Sequence, residues 1–171
     1  MINFKKGPAL SLHQVNYIGK AKNNEGVVAG MVVTINGDGQ VVKPTIADSA
    51  ADKDLLLGFA INNQSAGDVI ESGVIGVYAL DGASVIETDQ TEPAVITPTD
   101  FPVGARLSVV TGTGKVCKVA NTYAGQIIGQ VEGIRSIPGT VQTLTDNNGN
   151  PYKVQLSTTV LAVKLSSGAA N

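Results

Sequence analysis

One cysteine, one histidine and no tryptophan occur in these 171 residues, and aromatic side chains make up only 4%. A lone Cys117 excludes an intrachain disulfide and a cysteine metal site. A lone His13 leaves no second imidazole for a histidine-based dyad or triad, and places it in a polar segment facing solvent or an interface. The absence of tryptophan and the four tyrosines remove the usual stacking platform for sugars. The opening MINFKKGPALSLHQ has charge but no apolar core of the secretory type. No apolar run reaches the length of a membrane span. The triplet Asn63-Gln64-Ser65 has the form of a glycosylation site, which has no meaning without a secretory route. Long helical patterns are missing too.

What the chain has is glycine and β-branched residues. Twenty glycines and seven prolines are spread along it. Between them lie short runs of Val, Ile and Thr bounded by Gly, Asn, Asp and Pro, the pattern of an all-β protein. With few aromatics, Val, Ile and Leu must fill the core. The length suits one domain, or two small lobes packed as one.

The chain also repeats itself. Residues 34–43 read TINGDGQVVK and residues 109–118 read VVTGTGKVCK. Aligned without gaps, Gly37, Gly39, Val41 and Lys43 match Gly112, Gly114, Val116 and Lys118. In this alignment Cys117 takes the place of Val42, which makes it a small buried hydrophobe. Downstream, LLLGFAIN resembles QIIGQVEGI, with Gly58 matching Gly129, and each half ends in an apolar strand. A repeat about 75 residues apart is too long for a solenoid and fits two lobes sharing a core. The expected fold is therefore all-β: two similar small barrel- or sandwich-like units packed together, with an extended N-terminal arm. The divisions are 1–25 for the arm, 26–80 for the first unit, 81–103 for a connector and 104–171 for the second. Residues 135–150 read as a long connection with TDNNGNP as its turn, and residues 94–97 as a short strand. Residues 47–54 read as one helical turn.

Charge is segregated within a net −2. Residues 1–37 carry four lysines against one acid. Residues 38–103 carry eleven acids against two lysines, and residues 104–171 six bases against two acids. Such blocks are either ordinary solvated loops or complementary surfaces between copies. The basic blocks are too dilute, and too poor in aromatics, for a nucleic-acid surface.

The familiar chemical motifs fail on inspection. GTGK at residues 112–115 lacks the first glycine and the closing hydroxyl of a phosphate loop, since Val109 and Val116 stand there. Asp146, Asn148 and Asn150 alternate as in a calcium loop, but Pro151 occupies the position of the required glycine, so a plain turn is the better reading. No Asp-Thr-Gly or Asp-Ser-Gly triplet occurs. The acids of the first half leave a carboxylate pair open by number alone. The chain is read as a non-enzyme, with no catalytic residues, cofactor or metal.

The run GMVVTINGDGQVVKPT, followed by DKDLLLGFAINNQSAGDVIESGVIGVYAL, resembles the β-rich capsid decoration, or cement, proteins of tailed bacteriophages. The shared cadence is a strand, a Gly-Asp-Gly-like turn, a strand, a Leu-Gly-Phe-Ala strand, an Ala-Gly-Asp turn and a Gly-Val strand. It lies on residues 30–80 and again more weakly on residues 104–165. The resemblance implies a virion surface protein, assembled in the host cytoplasm. It would bind the major capsid protein on the outside of the shell and itself as a homo-oligomer, a trimer by the family's habit, with no nucleic acid or membrane partner. The family has no catalytic motif to carry over. The alternative is another β-structured virion component, such as a tail, baseplate or fibre protein that binds a receptor or glycan. In the basic N-terminal arm, Phe4, Leu10 and Leu12 are the expected apolar anchors, and Lys5 and Lys6 the expected partners of acidic groups on a capsid subunit or a neighbouring copy.

Overall fold

A computed structural model describes residues 2–6, 17–20, 26–45, 56–63, 74–122 and 125–166. Every regular element among them is a strand, so the chain is all-β. In order these are β1 (Ile2–Lys6), β2 (Tyr17–Lys20), β3 (Val32–Ile35), β4 (Val41–Val42), β5 (Gly58–Ala60) and β6 (Val74–Ala79). Then come β7 (Val85–Thr88), β8 (Thr91–Glu92), β9 (Arg106–Val109), β10 (Val116–Lys118), β11 (Gly129–Thr145) and β12 (Pro151–Leu165). They form a seven-stranded sheet, β1-β7-β12-β11-β9-β10-β8, and a five-stranded sheet, β2-β6-β5-β3-β4.

The order β2-β6-β5-β3-β4 recurs inside the larger sheet as β7-β12-β11-β9-β10, and the register recurs with it. Val33 pairs with Gly58 as Leu107 pairs with Gly129. Gly58 pairs with Ala79 as Gly129 pairs with Leu165. Tyr17 pairs with Val77 as Ile86 pairs with Val163. The loops follow suit. The amide of Gly30 donates to Ala60 and that of Gly104 to Val131, and both glycines have positive φ. Gly58 and Gly129 share one physical reason for being glycine. A Cβ at Gly58 would fall on the carbonyl oxygen of Tyr78, and at Gly129 on that of Lys164. The shared order takes in Tyr17–Lys20 and Val85–Thr88, which the division by sequence placed in the arm and the connector.

The gapless alignment of the two glycine turns holds after the turn and slips before it. Ile35 pairs with Val41 across residues 36–40, whereas Val109 pairs with Val116 across residues 110–115. The second turn is one residue longer and bends at two positive-φ glycines, Gly112 and Gly114, where the first uses Gly39. Residues 94–97 are not a strand, and Thr91–Glu92 pairs with β10 instead. The expected helical turn at 47–54 lies outside the described residues.

Each set of five strands builds its own core from equivalent positions. In the first, Val33, Val41, Leu57, Ala60, Ile75 and Val77 pack together. Their equivalents Leu107, Val116, Ile128, Val131, Leu161 and Val163 pack together in the second. The second core is joined by Val32, Leu56, Phe59 and Tyr78 from the other face of the first sheet. Side chains alternate across a strand, so the first sheet serves two cores, one on each face. Backbone bonds tie the sets together: the amides of Val32 and Gly112 donate to Gly114 and Pro44, each at 2.7 Å. The buried amide side chain of Gln126 accepts from the Leu56 amide at 3.0 Å.

Candidate functional site: the projecting β-ribbon

The two sets of strands differ most at one hairpin. The pair Gly58 and Ala79 encloses 20 residues, and the equivalent pair Gly129 and Leu165 encloses 35, fifteen more. The excess forms a two-stranded ribbon. β11 and β12 pair from Gly129↔Leu165 out to Thr145↔Pro151. β9 accompanies β11 only at residues 129–130, and β7 accompanies β12 only at residues 161–164. Beyond these, no described strand pairs with either outer edge. From Ile137 to Thr145 the ribbon reaches about 27 Å at the usual strand rise.

Residues 135–150 are therefore mostly strand rather than a long connection. The misleading signal was Pro138-Gly139. Pro138 pairs with Ser157 within the strand, and the register shift before Val141 sets Gly139 and Thr140 opposite Leu156 as a bulge. Proline is tolerated at such a site because its missing amide is not needed on an edge. Gly139 is required because a Cβ there would meet the Leu156 carbonyl oxygen.

The tip is built by Asp146. Its Oδ1 accepts from the amides of Asn148 and Asn150 at 2.9 and 2.8 Å, and Gly149 turns the chain at φ +86°. Asn36 caps the β3–β4 turn in the same way, accepting from Asp38 and Gln40. The calcium-like spelling is thus the chemistry of a five-residue turn, whose amides take up the side-chain oxygen. The Asn150 and Asn148 amides hold the Asp146 carboxyl below the usual carboxylate range.

Alternation along β12 sorts the ribbon's two faces. Leu144 lies opposite Tyr152, and Gln142 opposite Val154. Together with Leu156 they form one face without a charged group. The other face carries Thr143, Lys153, Val141 and Gln155. Leu156 is 61% exposed, Tyr152 46% and Leu144 43%. A lone two-stranded ribbon is marginal in water, and open edges offer unpaired backbone groups to another chain.

The ribbon is braced at its base. Arg135 donates to Oε1 of buried Glu87 at 3.0 Å and to Glu132 at 3.2 Å. Lys115 lies 3.5 Å from Glu92. Glu87 and Glu92 come from the acidic block and Arg135 and Lys115 from the basic one, so part of the charge segregation is used within the chain.

Of the residues expected to bind a partner, Phe4, Lys5 and Lys6 lie in β1, whose backbone pairs with β7 at the sheet edge. Leu10 and Leu12 lie outside the described residues, as does His13. Cys117 is only partly buried, not the buried hydrophobe expected from its match to Val42, and it pairs with Glu92 of β8. Burial, with the nearby Glu92 carboxylate, pushes its thiol pKa up. Among the described residues, no three His, Cys, Asp or Glu side chains gather as a metal site would require. The ribbon's return strand was legible only as the apolar strand that ends the second half; its outer part was hidden by Pro138. Comparison with protein-family models, curated proteins and solved structures finds no match for this chain.

Proposed function

We propose that this chain is a structural virion protein that binds the outer surface of a tailed-bacteriophage capsid and stabilises the shell. It acts as a homo-oligomeric assembly part rather than as an enzyme. The carrying observation is architectural: one five-stranded order occurs twice, sharing an apolar core, and one copy sends out a ribbon at a hairpin fifteen residues longer than its counterpart. This supports two similar barrel- or sandwich-like units, the second elaborated for contact. The decoration-protein cadence of residues 30–80 falls on β3 to β6, so the resemblance rests on the strands of the first unit.

In this reading Phe4, Lys5, Lys6, Leu10 and Leu12 meet the major capsid protein. β1 fixes the backbone of the first three at a sheet edge, where such a contact would be presented along a defined line. The test is binding of the purified chain to shells stripped of it, followed by co-sedimentation and electron microscopy. Saturable density on the outer shell is expected. Failure to bind shells, or binding to tails instead, overturns the reading. Replacing Lys5 and Lys6 with alanine should slow association and flatten its salt dependence, because exposed charges act mainly by steering.

A further inference from the structure

We infer that Asn148, at the tip of the ribbon, is a site of self-modification: its side-chain amide is lost by ring closure onto the Gly149 nitrogen, which leaves an aspartate or an isoaspartate.

The chain has two Asn-Gly pairs, Asn36-Gly37 and Asn148-Gly149. Glycine after asparagine favours the reaction, because no Cβ crowds the attacking nitrogen. The Gly149 nitrogen gives up its proton and bonds to Cγ of Asn148. The Cγ–Nδ2 bond breaks, and the side-chain nitrogen takes up the proton and departs as ammonia. Water then opens the cyclic imide at either carbonyl. Opening at one carbonyl restores the main chain with an aspartate side chain. Opening at the other routes the main chain through the side chain as isoaspartate. Water is the only co-reactant, and no oxidant or reductant is needed.

The two pairs sit in turns of the same build but in opposite roles. Asn36 is the cap of its turn, and its carboxamide is held at both ends. Its Oδ1 accepts from the amides of Asp38 and Gln40 at 3.1 and 2.8 Å, and its Nδ2 donates to Gln40 Oε1 at 3.1 Å. In the tip turn the cap is Asp146, and Asn148 is the third residue. Asn148 is exposed, and among the described residues no hydrogen bond holds its carboxamide.

The anchoring of the turns differs as well. The Asn36 turn runs straight into Val41 and Val42, both buried. The tip turn ends a ribbon in which no side chain between residues 138 and 157 is buried. The Gly149 amide donates to the Asp146 carbonyl at 3.0 Å, and that bond must open before the nitrogen attacks. A turn at the end of a two-stranded ribbon opens at lower cost than one tied to a core. Conversion places a second carboxylate beside Asp146. Isoaspartate also lengthens the main chain between residues 148 and 149, which draws the Asn150 amide away from Asp146 Oδ1. The tip gains charge and its turn loosens, while both cores stay as they are.

Incubating the full chain at mildly alkaline pH tests this, with tryptic mapping by mass spectrometry at both pairs. Isoaspartate is counted by labelling with an isoaspartyl methyltransferase. In the folded chain, conversion at Asn148 should exceed that at Asn36 by at least about tenfold. In denaturant the two pairs should convert at similar rates, because the fold no longer separates them. Asn148→Gln should abolish conversion at the tip and leave the circular dichroism unchanged. Equal conversion of the two pairs in the folded chain would overturn the inference. So would an unmodified Asn148 in the folded chain while the denatured chain converts, or the same ratio between the pairs in denaturant.

Discussion

At four equivalent positions the first strand set presents Val32, Leu56, Phe59 and Tyr78, all buried, while the second presents Arg106, Ile127, Gln130 and Lys164, none of them buried. The backbone at these positions is the same. The neighbours differ: the first sheet lays these four side chains on the second core, and the four equivalent positions of the second sheet meet no such core among the described residues. Composition has followed burial, not strand geometry. At the β11–β12 hairpin the comparison runs the other way, and the second set keeps apolar side chains, Leu144, Tyr152 and Leu156, that are exposed.

Exchanging the contrasting residues should break the comparison most sharply. Phe59→Gln removes a fully buried ring and leaves an amide in an apolar core, so about 4 kcal/mol of stability should be lost. Gln130→Phe, at the equivalent exposed position, should change stability by less than about 0.5 kcal/mol. Chemical denaturation of both variants reads the difference directly. Equal losses would mean that the two faces are not in different surroundings.

The shared glycines sharpen the likeness instead. Gly58→Ala and Gly129→Ala each press a methyl group into a cross-strand carbonyl, and each should cost about 3 kcal/mol. A large cost at one and none at the other would contradict the equivalence. Arg135→Leu should cost about 1–3 kcal/mol by removing a charged hydrogen bond from buried Glu87.

The smallest effect concerns pH. Burial raises the pKa of Asp81, but bonds from the hydroxyl and amide of Ser84, the Ala83 amide and the Tyr78 hydroxyl outweigh it and leave the carboxyl below its usual value. A lowered folded pKa means that this stabilisation is fully present above the unfolded value of about 3.9 and is lost as pH falls through the folded one. Asp81→Asn should therefore lower the melting temperature at pH 7 and flatten the acid limb of a melting-versus-pH curve below about pH 4, where parent and variant converge.

Much of the repeat was legible because its glycines are sterically forced. Gly58 and Gly129 could be matched from sequence, since each lies under a carbonyl. Val41 and Val116 could be matched because a turn precedes them. The slip at Ile35 and Val109 was not legible, because a turn one residue longer still spells glycine at both matched places. Nor was β7 legible as the partner of β2: Val85–Thr88 and Tyr17–Lys20 share no residue at equivalent positions, and only pairing with β12 and β6 relates them. The ribbon was missed because Pro138-Gly139 is written like a loop, and only the cross-strand partner Leu156 shows that the strand bulges there instead.

The central claim is that the ribbon is an addition to a fold complete without it. Deleting residues 138–145 and 151–157 joins Ile137 and Thr158, already a cross-strand pair, through the five-residue turn at Asp146, and removes the fifteen extra residues. The decisive measurement is the denaturant unfolding of this shortened chain. The account predicts a cooperative transition within about 1 kcal/mol of the full chain, since no buried residue is lost. A chain that fails to fold, or loses several kcal/mol, would show that the ribbon belongs to the core architecture.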